Sequence, residues 1–237
     1  KDRGVKKRLP GLFTRETSQG TCWHETLATA AIPRRNLQSV FRKGEGRCVM
    51  QNVVVYLKKI VPPEGGKKEM EKKLSKCGWE LFRAGIQELY GLDAREIRIE
   101  RNAHGKPYLP GYLQIFFNIS HSGTYAACAF AKIPLGLDLQ QHRRVQWEGM
   151  AKRYFSVREQ KRLASAVDAE TLFFRIWTEE ESYGKWKGTG LSGALGTEKK
   201  EGFCTHFDQL KGYEGAIWAA EPLTVRLKIT EEPENAT

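Results

Sequence analysis

Three strand-like runs in close succession constrain this chain more than any other feature. Residues 113–119, 125–131 and 135–140 are rich in apolar side chains and are separated by Ser122-Gly123 and Ile133-Pro134. Both dipeptides are turn or breaker signals, so the block reads as three strands. Before it stand a strand candidate at 51–57 and a charged helical stretch at 67–90. Leu74, Leu81, Phe82 and Leu89 are the apolar positions of that helix, and Gly91 ends it. A short strand at 97–99 and a loop carrying Gly105-Lys106-Pro107 follow. Beyond residue 146 the pattern turns helical, over 147–154, 157–164 and 168–187. Asp168 is placed to cap the third of these helices, and Gly188 with Gly190 to stop it. Residues 203–229 read as two or three more strands. This mixed order gives the fold class α+β.

Bulk properties bound the function classes. The chain has 237 residues, 40% of them hydrophobic, which suits one large domain or two small ones. No apolar run approaches the roughly 18 residues of a membrane span. The basic N-terminus is followed by no apolar stretch, so a secretory signal is not expected. The five cysteines (Cys22, Cys48, Cys77, Cys128, Cys204) are odd in number, widely spaced and without a Cys-x-x-Cys pair. That argues against a disulfide framework or a zinc knuckle, and a cytoplasmic location is expected.

The formal net charge is +11. Residues 1–49 hold 11 Lys/Arg and 4 Asp/Glu, a balance of +7, which leaves only +4 for the remainder. Nucleic-acid binding, the ordinary inference from such a charge, would thus rest mainly on that first stretch. It shows no sustained strand or helix period and is expected to be a disordered or non-native extension. A chain begun at Met50 is then expected to fold and act like the full one.

Three segments carry chemistry. Trp177, Glu181 and Lys185 stand at i, i+4 and i+8, on one face of the last helix. A Glu–Lys pair at that spacing is ordinarily a solvated surface pair, and a lone Trp is ordinarily a core anchor. The run Phe117-Asn118-Ile119-Ser120-His121-Ser122-Gly123 presents a hydroxyl and an imidazole, groups that suit phosphate oxygens. They are also common turn residues. In Leu135-Gly136-Leu137-Asp138-Leu139-Gln140, alternation puts the leucines on one face and Gly136, Asp138 and Gln140 on the other. An acidic residue on an apolar strand costs free energy unless it is paired or binds a metal. Asp138 and Gln140 could both offer oxygen to a hard cation such as Mg²⁺, or Asp138 could simply cap an exposed strand end.

Taken in order, these segments resemble the surfactin-type (Sfp-type) 4′-phosphopantetheinyl transferases. The likeness covers roughly residues 50–230 and includes Gly105-Lys106-Pro107, Phe117–Gly123, Gly136–Asp138, Ala151–Ser156 with Glu159, Trp177-x-x-x-Glu181-Ser182-x-x-Lys185 and Gly188–Leu191. It implies two similar α+β halves forming a pseudo-dimer, here 50–140 and 141–237, with the active site between them. It implies Mg²⁺ ligands at Asp138 and Glu181, with Gln140 two residues after the aspartate. Glu181 and Lys185 match the catalytic pair, with His121 assisting. Lys106, Pro107, Ser120, His121 and Lys185 match coenzyme A contacts, and Ser75 and Lys73 fall where the first-half helix meets the same ligand. The implied substrate is coenzyme A and the implied partner an acyl or peptidyl carrier protein. Arg143, Arg144, Lys152 and Arg153 are candidates to steer an acidic carrier. A monomer is expected, with neither nucleic acid nor membrane as partner.

Two positions depart from the family pattern. Many members carry a third carboxylate where Gln140 stands, and many carry Lys where Glu180 precedes the catalytic glutamate. Neighbours on a helix point about 100° apart, so Glu180 is expected to face away from the metal. Three rival readings stay open at this stage: a basic nucleic-acid-binding protein, another magnesium-dependent phosphotransferase or phosphodiesterase, and a homologue that binds coenzyme A without transferring. No Gly-x-x-x-x-Gly-Lys-Ser/Thr loop is present, which argues against a nucleotide kinase of that type.

Overall fold

In a computed structural model of the chain, described residues are 50–190, 195–196 and 200–231, together with two backbone strands nearer the N-terminus. These strands, β1 (Phe13–Glu16) and β2 (Cys22–Ala28), pair with each other, and β2 runs antiparallel along β11 (Leu223–Glu231). They fall in a stretch where the sequence shows no strand period. Pairing on an open sheet edge is made by backbone groups and needs no apolar alternation. The rest of residues 1–49 lie outside the described residues.

The six-stranded sheet has the order β1-β2-β11-β3-β7-β6, where β3 is Gln51–Lys59, β6 is Phe116–Ser122 and β7 is Tyr125–Ala131. A three-stranded sheet follows the order β8-β10-β9, with β8 at Leu135–Gln141, β9 at Phe203–Phe207 and β10 at Tyr213–Ala219. A two-residue ladder joins β4 (Glu100–Arg101) to β5 (Pro107–Tyr108). The chain crosses between the large sheets twice. β8 leaves the hairpin of β6 and β7 for the small sheet, and β11 returns to pair parallel with β3. The fold is α+β in two lobes.

Helix α1 (Gly66–Tyr90) covers one face of the large sheet. Leu74, Cys77, Leu81, Phe82 and Ile86 form its buried stripe at helical spacing. The other face of that sheet meets the small one across Val53, Val55, Leu57, Leu135, Leu137, Leu139, Ile217 and Leu227. Helices α2 (Trp147–Tyr154), α3 (Val157–Ala164) and α4 (Ala169–Lys187) share an aromatic cluster around Phe155, Phe173 and Phe174. The N-cap of α4 is Asp168, which accepts from Thr171 N–H at 3.0 Å, and its C-cap is Gly188 in the left-handed region.

Two local devices position the site. β8 pairs with β10 on one side only, and the N–H groups of its other edge are taken by side chains of β6. Leu137 N–H donates to Asn118 Oδ1 at 2.9 Å, Leu139 N–H to Ser120 Oγ at 3.2 Å and Gln141 N–H to Ser122 Oγ at 2.9 Å. Both strands repeat every two residues, so each free donor meets one acceptor and the sheets are stitched in register. The second device is Gly136. A methyl group there would stand 2.1 Å from Ser182 O and 2.2 Å from Trp186 N, so α4 lies directly on the backbone of β8.

Two expected elements are displaced. Residues 97–99 form no strand; Ile97 is buried under α1, and pairing starts at Glu100. The strand expected at 113–119 begins at Phe116, because residues 113–114 turn and Leu113 is 86% exposed.

Gly136→Ala should cost about 3 kcal/mol, because the obstructing atoms are backbone. Urea unfolding reads this directly, and a loss below about 1 kcal/mol would mean that α4 is not seated on β8 as described.

Candidate active site

Asp138 occupies the β8 position that alternation turns away from the leucine layer. It is 2% exposed, and both of its oxygens accept hydrogen bonds. Lys185 Nζ, from α4, donates to Oδ1 at 2.6 Å, and Ser120 Oγ, from β6, donates to the same oxygen at 2.9 Å. Gln140 Nε2 donates to Oδ2 at 2.9 Å. Lys185 Nζ also lies 3.0 Å from Ser120 Oγ. The lysine therefore reaches across to another element rather than serving as a surface partner within its own helix. Its N–H groups close a compact cluster from three elements.

A polar cavity of about 400 Å³ opens onto this cluster. Of the residues expected from sequence, Ser75, Pro107, Ser120, His121, Asp138, Gln140, Glu181 and Lys185 line it. Trp79, Arg101, Asn118 and Ile119 complete the wall. A second depression of about 490 Å³ on α3 is bounded by Val157, Arg158, Lys161, Arg162 and Ser165 and gathers no acid with a base.

Burial, followed by the nearby Asp138 carboxylate, raises Glu181 to about pKa 7, against the pull of Lys185. At neutral pH this carboxyl stands near half-ionisation, the range in which a base is most useful. Burial and the Lys185 ammonium hold the His121 imidazole below its ordinary range, so it is neutral at pH 7.

Two residues expected to meet the ligand, Lys106 and Lys73, do not line this cavity. Lys106 Nζ donates to Leu135 O at 3.0 Å and Trp186 O at 3.2 Å, which ties β8 to the last turn of α4. Burial lowers this ammonium to about pKa 8. Lys73 is half-buried and donates to Val61 O at 3.0 Å. Trp177 stacks on Phe173 at 5.9 Å between ring centres, in the helical core. Glu180 is 0% exposed and pairs with Lys200, whose Nζ also meets Glu159 Oε1 at 3.0 Å. Burial and the Glu159 carboxylate raise Glu180 to about pKa 8. It sits in this separate cluster, away from the cavity, as the 100° step requires.

Two wall residues were missed by sequence reasoning. Trp79 lies four residues after Ser75, on the same face of α1, a signal that was available. Arg101 had no comparable mark. Its Nη1 donates to Gly105 O at 2.7 Å and its guanidinium lies 5.9 Å from the Trp79 ring centre, which holds it in the wall.

A hard divalent cation takes oxygen donors. Asp138, Glu181 and the amide oxygen of Gln140 supply them in one cavity, and a half-turn of the amide exchanges its oxygen and nitrogen. Among the described residues no group of three or more His, Cys, Asp or Glu is gathered for a metal, and this cavity offers two carboxylates and one amide. Burial, and after it the Asp138 carboxylate, push Glu181 up, and a divalent ion would relieve the second of these. The residues fit Mg²⁺.

An acid pair and a lysine thus face one polar cavity in this two-lobed α+β fold. The family model "4'-phosphopantetheinyl transferase, N-terminal" matches residues 67–132, and "4'-phosphopantetheinyl transferase superfamily" matches residues 134–221. The chain belongs to the 4′-phosphopantetheinyl transferase family. It is 40% identical over 114 residues to 4′-phosphopantetheinyl transferase Sfp of Bacillus subtilis (strain 168), covering 47% of this chain and 50% of that one. A further 4′-phosphopantetheinyl transferase of Bacillus subtilis is 33% identical over 161 residues, 60% of this chain and 71% of that one. The human L-aminoadipate-semialdehyde dehydrogenase-phosphopantetheinyl transferase is 30% identical over 139 residues, 51% and 44% of the two chains. The match thus spans half the length of Sfp. Among the described residues no helix is long and apolar enough to cross a membrane.

The raised Glu181 carboxyl makes a pH-dependent prediction. Its folded pKa of about 7 lies above the ordinary 4.5, so the folded state binds the proton more tightly. The resulting penalty is fully present above pH 7 and disappears as pH falls through 4.5. Without divalent ions, Glu181→Gln should be more stable than the wild type by on the order of 2 kcal/mol at pH 8 and equal to it at pH 4.5. Urea midpoints at the two pH values test this; an equal gain at both would refute the assignment.

Proposed function

We propose that the chain transfers the 4′-phosphopantetheine arm of coenzyme A to a serine hydroxyl of an acyl or peptidyl carrier protein, with Mg²⁺, releasing 3′,5′-ADP. The observation that carries this reading is the convergence of Asp138, Glu181 and Lys185 on one polar cavity beside Ser120 and His121. Family membership supports the same chemistry.

The serine oxygen bonds to the β-phosphorus of coenzyme A, and the bond from that phosphorus to the oxygen bridging it to the α-phosphate breaks. Positioning and charge stabilisation do most of the work in such a transfer. Asp138, Glu181 and the Gln140 amide would hold Mg²⁺, which when bound neutralises charge developing on the pyrophosphate. Glu181 accepts the serine proton. Lys185 places its ammonium against the phosphate oxygens of the departing nucleotide. Neutral His121 donates to a phosphate oxygen or accepts from a ribose hydroxyl, and Arg101 adds a cation to the same wall. Ser120 keeps Asp138 in position. Trp79 and Ser75 bound the nucleotide end from α1.

Both acids come from one chain, which supports a monomer as the working form. Exposed Arg143, Arg144, Lys152 and Arg153 suit an acidic carrier, whose approach they would accelerate at low salt. The odd, widely spaced cysteines suit a cytoplasmic setting. Neither nucleic acid nor a membrane has a role in this reading.

Glu181→Ala and Asp138→Ala should each abolish transfer with the fold intact. Mass spectrometry of an apo-carrier incubated with coenzyme A and Mg²⁺ reads the gain of one phosphopantetheine arm. Wild-type protein that adds no mass would overturn the function, whereas full activity in either variant would overturn only the residue roles.

A further inference from the structure

We propose that Lys185 is a built-in stand-in for the divalent ion: it neutralises Asp138 while the metal is absent and is released toward the substrate when the metal binds. The inference rests on the reading above in which Asp138 and Glu181 hold Mg²⁺.

Donors already crowd Asp138. One oxygen takes Lys185 at 2.6 Å and Ser120 at 2.9 Å, and the other takes the Gln140 amide at 2.9 Å. The carboxylate is 3% exposed at its side chain, so a cation held against it offsets the cost of taking its charge out of water. Among the described residues, two lysine or arginine side chains line the cavity, Arg101 and Lys185. Arg101 is engaged with Gly105 O and the Trp79 ring, which leaves Lys185 to supply the charge. Its own side chain is 29% exposed and lines the cavity, so the ammonium has open space to move into. A divalent ion and an ammonium compete for the same oxygens, because like charges repel at that distance. Gln140 must also turn its amide, since the group now aimed at Asp138 is the N–H₂ donor and a cation needs the oxygen.

The consequence is a thermodynamic coupling of opposite sign to a supporting role. If the metal and Lys185 exclude one another at Asp138, removing the lysine must tighten metal binding. A lysine that merely helped to build the metal site would weaken binding when removed. The swap also orders events: the cation destined for phosphate oxygens becomes available only once the metal has arrived.

The test uses Mg²⁺ alone, without coenzyme A, on the full chain. Isothermal titration should give Lys185→Met a Kd about tenfold lower than the wild type, within the usual range of such couplings. A Kd that is equal or higher in the variant overturns the inference while leaving the metal site in place. Mg²⁺ binding to neither protein removes the metal reading and the inference together. Should Lys185→Met fold poorly without metal, the wild type supplies an independent measurement. The hydrogen-bonded Lys185 ammonium should give a protected ¹⁵N–¹H signal in the metal-free protein, and saturating Mg²⁺ should abolish or shift it. A signal unchanged at saturation overturns the proposal.

Discussion

A carboxylate inside an apolar strand is the constraint on which the rest of this structure depends. Asp138 is nearly as buried as the leucines on either side of it. Taking that charge out of water costs several kcal/mol unless donors and a cation surround it. Three elements supply them: Ser120 from β6, Gln140 from β8 itself and Lys185 from α4. Each requires its element at close range, so the need to satisfy one side chain fixes the relative placement of two sheets and a helix.

The close approach has its own local supports. Gly136 lets α4 lie against β8 without an intervening side chain, and Lys106 ties the two together through one carbonyl from each. The Asn118, Ser120 and Ser122 ladder closes the open edge of β8 without a backbone partner. Ser120 belongs to both systems. It accepts from the β8 backbone and donates to the carboxylate, so the same hydroxyl stitches the fold and orients the acid. Glu180 illustrates the separation of roles along α4. One residue from Glu181, it faces into a different cluster and meets Lys200 there instead.

Much of this was legible in the sequence where a period was clean. The bounds of β7, α2 and α3 follow from composition and turn signals. Leucine alternation placed Asp138 on the correct face, and the 100° helical step turned Glu180 away. Apolar content misled where it was not paired: Leu113 points to solvent, and Ile97 is buried against a helix outside any strand. The contacts of Lys106 with Leu135 O and Trp186 O have no mark in the sequence, because a lysine before proline looks the same whatever its ammonium meets. Arg101 was invisible for a related reason: what makes it a wall residue is its seat on Trp79, 22 positions earlier in the chain. The strands in residues 1–49 pair through backbone groups, which leave no side-chain signature.

The central claim is that Asp138 and Glu181 share one divalent ion beside the phosphate cavity. Anomalous scattering from crystals grown with Mn²⁺ and coenzyme A tests it most directly. The account predicts one strong peak within bonding distance of both carboxylates. A peak on only one of them, or at a different part of the surface, would contradict it.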